Sequence, residues 1–251
     1  MKVVAIIQAR MSSTRLPGKV LKLASGRTML DRMLERVKKA QTLTEVIVAT
    51  TTDPSDDCIV RACNKLGVIV FRGSLQDVLD RFYQAARMHH ADIIVRLTAD
   101  CPLIDPALID ETVNALIQQK ADFACNRLPP PFSRTYPIGL DVEACTFKAL
   151  EQAWRGADQK HEREHVLPYL YNVPGRFKVL QLNYTMDLGH LRWTLDTPED
   201  LVLLRRVYRY FRGRNDFSWL EVLQLQQQQP ALFAINERVQ HKTYLESETP
   251  R

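Results

Sequence analysis

One short polar segment near the start of the chain contains several side chains that could bind an anionic ligand. The segment "QARMSSTRLPGK" (8–19) follows the apolar run "VVAII" and carries Arg10, Arg15 and Lys19 with the hydroxyls of Ser12 and Ser13. Backbone amides and arginines donate directed hydrogen bonds, and a lysine adds a point charge, so this set suits a ligand with several phosphates. The segment lacks the Walker A and G-x-G-x-x-G patterns. The alternative interpretation is a solvated basic loop. Three cations in one loop favour ligand binding over this alternative.

Two aspartates follow predicted strands far apart in the chain. Asp100 ends "DIIVRLTAD" and Asp196 ends "LRWTLD". Their neighbours fit structural roles, because Asp105 precedes a proline as a helix N-cap and Asp200 fits a capping box with Thr197. Asp100 and Asp196 are thus left available, and two carboxylates can share one Mg²⁺ with a substrate phosphate.

A second group of titratable residues lies in "YPIGLDVEA" and "HEREHV". Asp141 and Glu143 alternate with Gly139 along a predicted strand, so both carboxylates should face the same side. Glu164 and His165 belong to a predicted helix. They fit an exposed face of that helix as well as they fit a functional role. Histidines beside glutamates suggest zinc, but no further ligand accompanies them and zinc is disfavoured.

The elements that must position these residues alternate regularly in the first half of the chain. Short β-branched runs predict strands buried on both faces, and amphipathic stretches between them predict helices. The predicted strands are 3–7, 45–51, 67–71 and 92–98, and the predicted helices are 28–40, 55–66, 75–90 and 106–120. This alternation predicts an α/β fold with a mostly parallel, doubly wound sheet.

The second half of the chain has a different pattern. The proline-rich stretch 126–144 predicts an extended segment or lid, since proline cannot continue a regular helix. Further helices are expected at 146–156, 160–172 and 198–211, and two late strands in "RFKVLQLNY" and "LRWTLDT". We therefore expect a single domain over 1–251. It comprises an N-terminal half over 1–125, a mid-chain excursion over 126–182 and a C-terminal part over 183–251.

Composition indicates which binding partners and which cellular compartment to expect. The net charge of +5 comes without a lysine- or arginine-rich block, and Arg205–Arg214 fits the solvated face of an amphipathic helix. Nucleic acid is therefore not an expected partner. Five scattered cysteines without a C-x-x-C pair predict neither disulfides nor a zinc knuckle. The residues predict no signal peptide and no membrane span, so we expect a cytoplasmic protein.

The motifs taken together resemble the CMP-sugar synthetase (cytidylyltransferase) family. Ala9, Arg10, Ser13 and Lys19 match its A-R-x-x-S-(x)5-K signature, and "STRLPGK" is similar to the 3-deoxy-manno-octulosonate cytidylyltransferases. The strings "GSLQDVLDRFY", "VRLTADCPLIDP", "GLDVE", "EREHVLPYLY" and "RWTLDTPEDL" resemble the spore coat polysaccharide biosynthesis protein F branch. The resemblance implies a Rossmann-like nucleotide-diphospho-sugar transferase fold with a mid-chain lid and dimerisation excursion.

The resemblance also implies roles for individual residues. The implied catalytic residues are Arg10, Lys19, Asp100 and Asp196, and Mg²⁺ is expected on Asp100 and Asp196. The implied nucleotide-binding residues are Ala9, Arg10, Ser12, Ser13, Arg15, Lys19 and, near the pyrimidine and ribose, Gly73, Ser74 and Arg81. The residues expected at the acceptor sugar are Asp141, Glu143, Glu164 and His165.

The implied activity is nucleotidyl transfer from a nucleoside triphosphate, with CTP as the favoured donor, by a homodimer. Two departures leave the sugar and the base open: Gln8 replaces a proline, and Cys101 replaces a carboxylate of the octulosonate enzymes. A glycosyltransferase that uses a nucleotide-sugar and a non-catalytic nucleotide-binding protein of a polysaccharide pathway remain as alternatives.

Overall fold

The computed structural model describes residues 1–128 and 134–240, and it has an α/β architecture. The strands are β1 (Val3–Gln8), β2 (Leu23–Ala24), β3 (Arg27–Thr28), β4 (Glu45–Thr51), β5 (Ile69–Gly73), β6 (Ile93–Thr98), β7 (Phe123–Cys125), β8 (Glu143–Thr146) and β9 (Val179–Gln181). The helices are α1 (Met29–Val37), α2 (Asp57–Lys65), α3 (Val78–Met88), α4 (Pro106–Gln118), α5 (Phe147–Gly156), α6 (Lys160–His165), α7 (Pro168–Tyr171), α8 (Pro198–Tyr210), α9 (Trp219–Gln228) and α10 (Pro230–Phe233).

Seven of these strands form one sheet in the order β5-β4-β1-β6-β8-β7-β9, and β2 pairs with β3 in a separate small ribbon. Strands β5, β4, β1 and β6 run parallel, whereas β8 is antiparallel to both of its neighbours. The predicted mostly parallel, doubly wound sheet is confirmed.

The chain order of the strands reverses between β1 and β6. From β1 the chain builds outward through β4 and β5, and it then returns to place β6 on the other side of β1. Gln8 at the end of β1 lies opposite Thr98 at the end of β6. Ligands of open α/β sheets bind in the crevice at such a switch point, beyond the carboxyl ends of the strands.

Side chains alternate between two hydrophobic layers along the central strand. Val3, Ala5 and Ile7 pack in the layer that contains α1, α4 and α8, whereas Val4 and Ile6 pack against α3 and α5. This alternation follows from the two-residue period of a strand. Burial of both faces makes the sheet a rigid base for the loops at its edge.

Helix starts agree with the sequence signals. Asp105 caps α4 by accepting from Ala107 N, and Thr197 with Asp200 forms a capping box at α8. The basic stretch 205–214 has its apolar side chains against the core, with Val207 and Tyr208 fully buried. The predicted Asp105 cap, the predicted capping box of Thr197 and Asp200 and the predicted amphipathic helix are all confirmed.

Three predicted elements in the second half differ from the structure. The helix expected over 160–172 is two short helices, because Val166 has a φ of +74° and Pro168 follows it. The strand expected around Gly139 begins only at Glu143. The stretch "LRWTLDT" forms a single parallel bridge, Ile138 with Arg192, because Thr194 and Leu195 bond instead to the Asp100 carbonyl.

The proline-rich segment is described only in part, since residues 129–133 of the predicted lid lie outside the described residues. Beyond them, Tyr136, Leu140 and Val142 belong to the buried core. The final stretch 241–251 also lies outside the described residues. In the described part of the chain, no helix combines the length and apolar character needed to cross a membrane.

Candidate active site

A cleft of about 410 Å³ lies at the switch point, beyond the ends of β1 and β6. Its walls come from segments that are far apart in the chain. The loop end of the cleft is lined by Ala9, Arg10, Ser13, Thr14, Arg15, Lys19, Asp100 and Asp196. The α6 end is lined by Arg96, Arg127, Asp141, Glu143, Glu164 and His165.

The loop that follows β1 turns tightly before its lysine. Ser13 N and Gly18 N both donate to the Met11 carbonyl, at 2.9 and 3.0 Å. Gly18 has a φ of +66°, a conformation that glycine adopts without the steric cost of a Cβ. The turn leads directly into a short 3₁₀ helix whose first residue is Lys19.

Asp56 holds this loop through a hydrogen bond from its backbone, although the sequence predicted no role for this residue. Its buried carboxylate accepts from Met11 N at 2.7 Å and from Thr51 N at 3.1 Å, together with the hydroxyls of Thr50 and Thr51. A buried carboxylate with several donors holds its neighbours in place, because losing any one contact would leave a polar group unsatisfied. Its only sequence signal was the aspartate-rich start of α2.

Lys19 joins the two aspartates that the sequence singled out. Its Nζ donates to Asp100 Oδ2 at 2.7 Å and to Asp196 Oδ1 at 2.8 Å. The second oxygen of Asp196 is 3.0 Å from Arg15 Nη2 and 3.0 Å from Arg192 Nη2. Residues 96 positions apart in sequence therefore share one ammonium group.

Local hydrogen bonds hold Asp196 in this position. Leu195 N and Thr194 Oγ1 both donate to the Asp100 carbonyl, at 2.8 and 3.1 Å, which ties the two aspartate segments together. Asp200 accepts from Asp196 N and from the Arg192 guanidinium. The capping box of α8 thus also orients the site.

The charges at the loop end shift the pKa values of both partners. Burial tends to raise the pKa of Asp196, but Lys19, Arg15 and Arg192 outweigh burial and hold that pKa well below its ordinary value. Burial tends to lower the pKa of Lys19, and the carboxylates of Asp100 and Asp196 raise it above its ordinary value. The contact between Asp196 and Lys19 is therefore ionic at neutral pH.

The α6 end contains carboxylates that already have arginine partners. Glu143 is buried and pairs with Arg96, and Arg127 Nη1 lies 3.9 Å from its other oxygen. Asp141 accepts from Arg134 Nη1 at 2.7 Å. Arg96 and Arg127 were not recognised from the sequence, because isolated arginines near a strand carry no motif.

Glu164 and His165 complete the α6 end from the last turn of α6. In the described parts of the chain, the side chain of Glu164 has neither a hydrogen bond nor an ion pair. Burial and the nearby guanidinium groups of Arg96 and Arg127 lower the pKa of His165 to about 4. His165 is therefore a neutral imidazole at physiological pH.

The order of residues 161–165 also matches the H-E-x-x-H zinc motif. The structure uses this helix differently, since Glu162 is buried in a capping box with Gln159 and His161 lies 3.2 Å from Asn172 Nδ2. Within 1–128 and 134–240, no group of three or more His, Cys, Asp or Glu residues could hold a metal ion.

Most of the predicted site residues line the one cleft. Those that do so are Ala9, Arg10, Ser13, Arg15, Lys19, Asp100, Asp141, Glu143, Glu164, His165 and Asp196. Ser12, Gly73, Ser74 and Arg81 are not among the lining residues. Arg81 is fully buried and donates to the Ser74 carbonyl at 3.1 Å, and burial with the charge of Arg10 lowers its pKa to about 10.

The donor set at the loop end fits a magnesium ion shared with a substrate. Mg²⁺ prefers oxygen ligands and takes one or two carboxylates plus phosphate oxygens and waters. Asp100 Oδ2 and Asp196 Oδ1 both lie within 2.8 Å of Lys19 Nζ, so the two oxygens converge on one cationic group. The residues present therefore suit the cofactor expected from the sequence.

Comparison with known proteins shows the family to which this chain belongs. A family model described as cytidylyltransferase matches residues 4–247. An uncharacterised Methanocaldococcus jannaschii protein, MJ1063, is 41% identical over 99% of this chain and 100% of its own length. The spore coat polysaccharide biosynthesis protein SpsF of Bacillus subtilis is 33% identical over 90% of this chain and 94% of its own.

Two further relatives are named as cytidylyltransferases. A 3-deoxy-manno-octulosonate cytidylyltransferase of Geotalea daltonii is 40% identical over 48% of this chain and 47% of its own length. A solved cytidylyltransferase structure from Leptospira borgpetersenii superposes with a TM-score of 0.88 at 37% identity, over 96% of this chain and all of that one. The chain belongs to the cytidylyltransferase family and is a nucleotidyltransferase.

Proposed function

We propose that this enzyme transfers CMP from CTP to a sugar acceptor and releases pyrophosphate, with Mg²⁺ as cofactor, in the synthesis of a surface polysaccharide or glycan. The observation that carries the proposal is the convergence of Asp100 and Asp196 on Lys19, beside a cationic loop at the switch point. The names of the family and of its relatives support cytidine as the base and a sugar as the acceptor.

In the proposed reaction, an oxygen of the acceptor attacks the α-phosphate of the triphosphate. The new bond joins that oxygen to the α-phosphorus, and the bond from the α-phosphorus to the bridging oxygen breaks. Pyrophosphate leaves with the bonding electrons, and a hydroxyl acceptor gives up its proton. Transfer of this kind depends mainly on positioning and on stabilisation of charge.

The loop end supplies both requirements. Arg10, Arg15 and Lys19, with the loop amides, would bind the β- and γ-phosphates and stabilise the departing pyrophosphate. Arg10 is well suited, since in the described chain it makes neither a hydrogen bond nor an ion pair and it is exposed to solvent. Asp100 and Asp196 would hold Mg²⁺, which when bound neutralises phosphate charge.

The α6 end is proposed to bind the acceptor. Glu164 can accept hydrogen bonds from sugar hydroxyls, while Glu143 and Asp141 keep Arg96, Arg127 and Arg134 in place. The neutral imidazole of His165 can accept a proton, or a hydrogen bond, from an acceptor hydroxyl. Gly73, Ser74 and Arg81 remain proposed contacts to the pyrimidine and ribose.

We further propose that the protein acts as a cytoplasmic homodimer. The family resemblance supports a dimer, and the five cysteines, which form no disulfide and of which four are buried, fit a reducing compartment. Size-exclusion chromatography with light scattering would test the dimer, and a monomer that retains full activity would contradict it.

The test of the function is pyrophosphate release from CTP, Mg²⁺ and a panel of acidic sugars. We expect release with wild-type protein and a loss of at least about a thousandfold in Asp100→Ala, because the variant lacks one of the two carboxylates. Asp216→Ala, which removes an exposed aspartate outside the cleft, should match wild type.

Other outcomes would support the two alternatives. Binding of CMP-sugars without binding of CTP would favour a glycosyltransferase. Binding of CTP without turnover of any acceptor would favour a non-catalytic nucleotide-binding protein. Near-normal turnover in Asp100→Ala would contradict the proposed metal site.

A further inference from the structure

The ammonium group of Lys19 lies between the two carboxylates that are proposed to hold the metal ion. Its Nζ is 2.7 Å from Asp100 Oδ2 and 2.8 Å from Asp196 Oδ1, and its side chain is only 13% exposed. A lysine and a divalent cation cannot occupy one point between the same two oxygens. The contacts of Lys19 therefore bear directly on when a metal can bind.

We infer that Lys19 acts as an internal counter-ion, which keeps divalent cations off Asp100 and Asp196 until a nucleotide draws its ammonium away. This inference rests on the proposed function, because it takes these two carboxylates as the metal ligands. Its consequence is an order of binding: free enzyme has low affinity for the metal, and metal and triphosphate bind together.

The charge balance of the cleft explains why Lys19 is needed in the free protein. Two carboxylates that face each other without a cation between them repel, which disfavours the folded arrangement. Either the ammonium or a divalent cation can neutralise the pair. Exchange of one for the other conserves the ionic pairing, so metal binding need not leave an unpaired carboxylate.

The contacts of Asp196 show which of its two carboxylate oxygens would become available to a metal ion when Lys19 moves away. Arg15 and Arg192 contact its Oδ2 atom, whereas Lys19 contacts its Oδ1 atom. When Lys19 leaves, Arg192 can keep the carboxylate oriented through Oδ2, and Oδ1 faces the position of the departed ammonium. Arg192 is itself fixed by two hydrogen bonds to Asp200.

The position of Lys19 explains why a nucleotide would move it. Lys19 ends the loop proposed to bind phosphates, and its flexible four-carbon stem lets the ammonium reach either the carboxylates or a phosphate. Its backbone is held by the turn at Gly18, whose N donates to Met11. Only the side chain would have to move.

The experiment measures Mn²⁺ binding by the loss of the free-ion electron paramagnetic resonance signal. Titrations use wild type and Lys19→Met, each alone and with a CTP analogue that has a methylene bridge between the α- and β-phosphates. Lys22→Met is the matched control, because it removes a nearby lysine that has no ion pair in the described chain and does not line the cleft.

Without the analogue, we expect Lys19→Met to bind Mn²⁺ at least about tenfold more tightly than wild type, and Lys22→Met to bind like wild type. Adding Asp100→Asn to Lys19→Met should remove this binding. Equal Mn²⁺ affinity of wild type and folded Lys19→Met without the analogue would overturn the inference while leaving the metal site intact.

Failure of the proposed function gives a different result. Tight Mn²⁺ binding that survives Asp100→Asn, or no binding in any variant with or without the analogue, would contradict the metal assignment itself. Circular dichroism checks that Lys19→Met folds. Lys19→Gln, whose neutral amide can still donate to one carboxylate, is the second variant if it does not.

Discussion

The two ends of the cleft neutralise their charges in different ways. At the loop end, Lys19 and Arg15 of the loop neutralise Asp100 and Asp196 together with Arg192, and a phosphate ligand can also attract the two loop cations. At the α6 end, Glu143 and Asp141 are paired with Arg96 and Arg134, which come from a strand and an extended segment. The loop end is thus built for exchange of partners.

The difference shows which residues should govern each substrate. Arg10 at the loop end and Glu164 at the α6 end have no ion pair in the part of the chain that the structure describes. Each can therefore bind a ligand without first breaking a contact. Substitutions at the two ends should separate effects on CTP from effects on the acceptor.

The largest effect is expected from Asp196→Asn. This change removes the charge that Lys19, Arg15 and Arg192 share, so kcat should fall at least about a thousandfold. Pyrophosphate release under saturating CTP measures it, with Asp216→Asn as the exposed control. Activity within tenfold of wild type would show that the loop end does not depend on this carboxylate.

Arg10→Ala tests the loop end without disturbing a protein contact. Loss of a charge-assisted hydrogen bond to phosphate should raise KM for CTP about 10- to 100-fold and leave KM for the acceptor unchanged. Arg61→Ala, on the exposed side of α2, is the matched control. An equal rise in both KM values would contradict the division of the cleft.

Glu164→Gln makes the reciprocal test at the α6 end. The neutral amide keeps the size of the side chain, so we expect KM for the acceptor to rise about tenfold and KM for CTP to stay constant. Glu111→Gln changes an exposed glutamate on α4 and should have no effect. An effect confined to CTP would place the nucleotide, rather than the sugar, at the α6 end.

The smallest effect concerns stability and the imidazole of His165. Its pKa is lowered from 6.5 to about 4 in the folded state, so the unfolded chain binds the proton more readily. The free energy of unfolding should therefore fall by roughly 1 to 3 kcal/mol as the pH drops from about 6.5 to about 4. Urea unfolding of wild type and His165→Gln measures the difference.

In that experiment the variant should lose less stability than wild type over the same pH window. Identical pH profiles would show that burial and the guanidinium groups of the α6 end do not lower the pKa of His165. Both proteins also carry other groups that titrate in this range, and the comparison cancels their contribution.

The first half of the fold could be predicted because its signals are local. The strands 3–7 and 45–51 and the helix over 106–120 lie within a few residues of β1, β4 and α4, since hydrophobic periodicity and N-caps act over a few residues. The second half was less predictable. "LRWTLDT" has the composition of a strand, but its backbone bonds to the Asp100 carbonyl instead of a neighbouring strand.

The same distinction applies to the site. The loop residues and the two aspartates were recognisable because a contiguous motif and strand ends mark them. Asp56, Arg96 and Arg127 were missed because each acts through a partner distant in sequence, such as Met11 for Asp56 and Glu143 for the two arginines.

The sequence by itself determined the α/β class, the switch-point loop and the identity of the residues proposed to bind phosphate and metal. Those properties follow from local periodicity and from the chemistry of single side chains. Only the tertiary structure decided that Lys19 joins Asp100 to Asp196 and that Arg96 and Arg127 share Glu143. Such pairings arise from chain crossovers that bring distant strand ends to one edge of the sheet, and no local pattern encodes those distances.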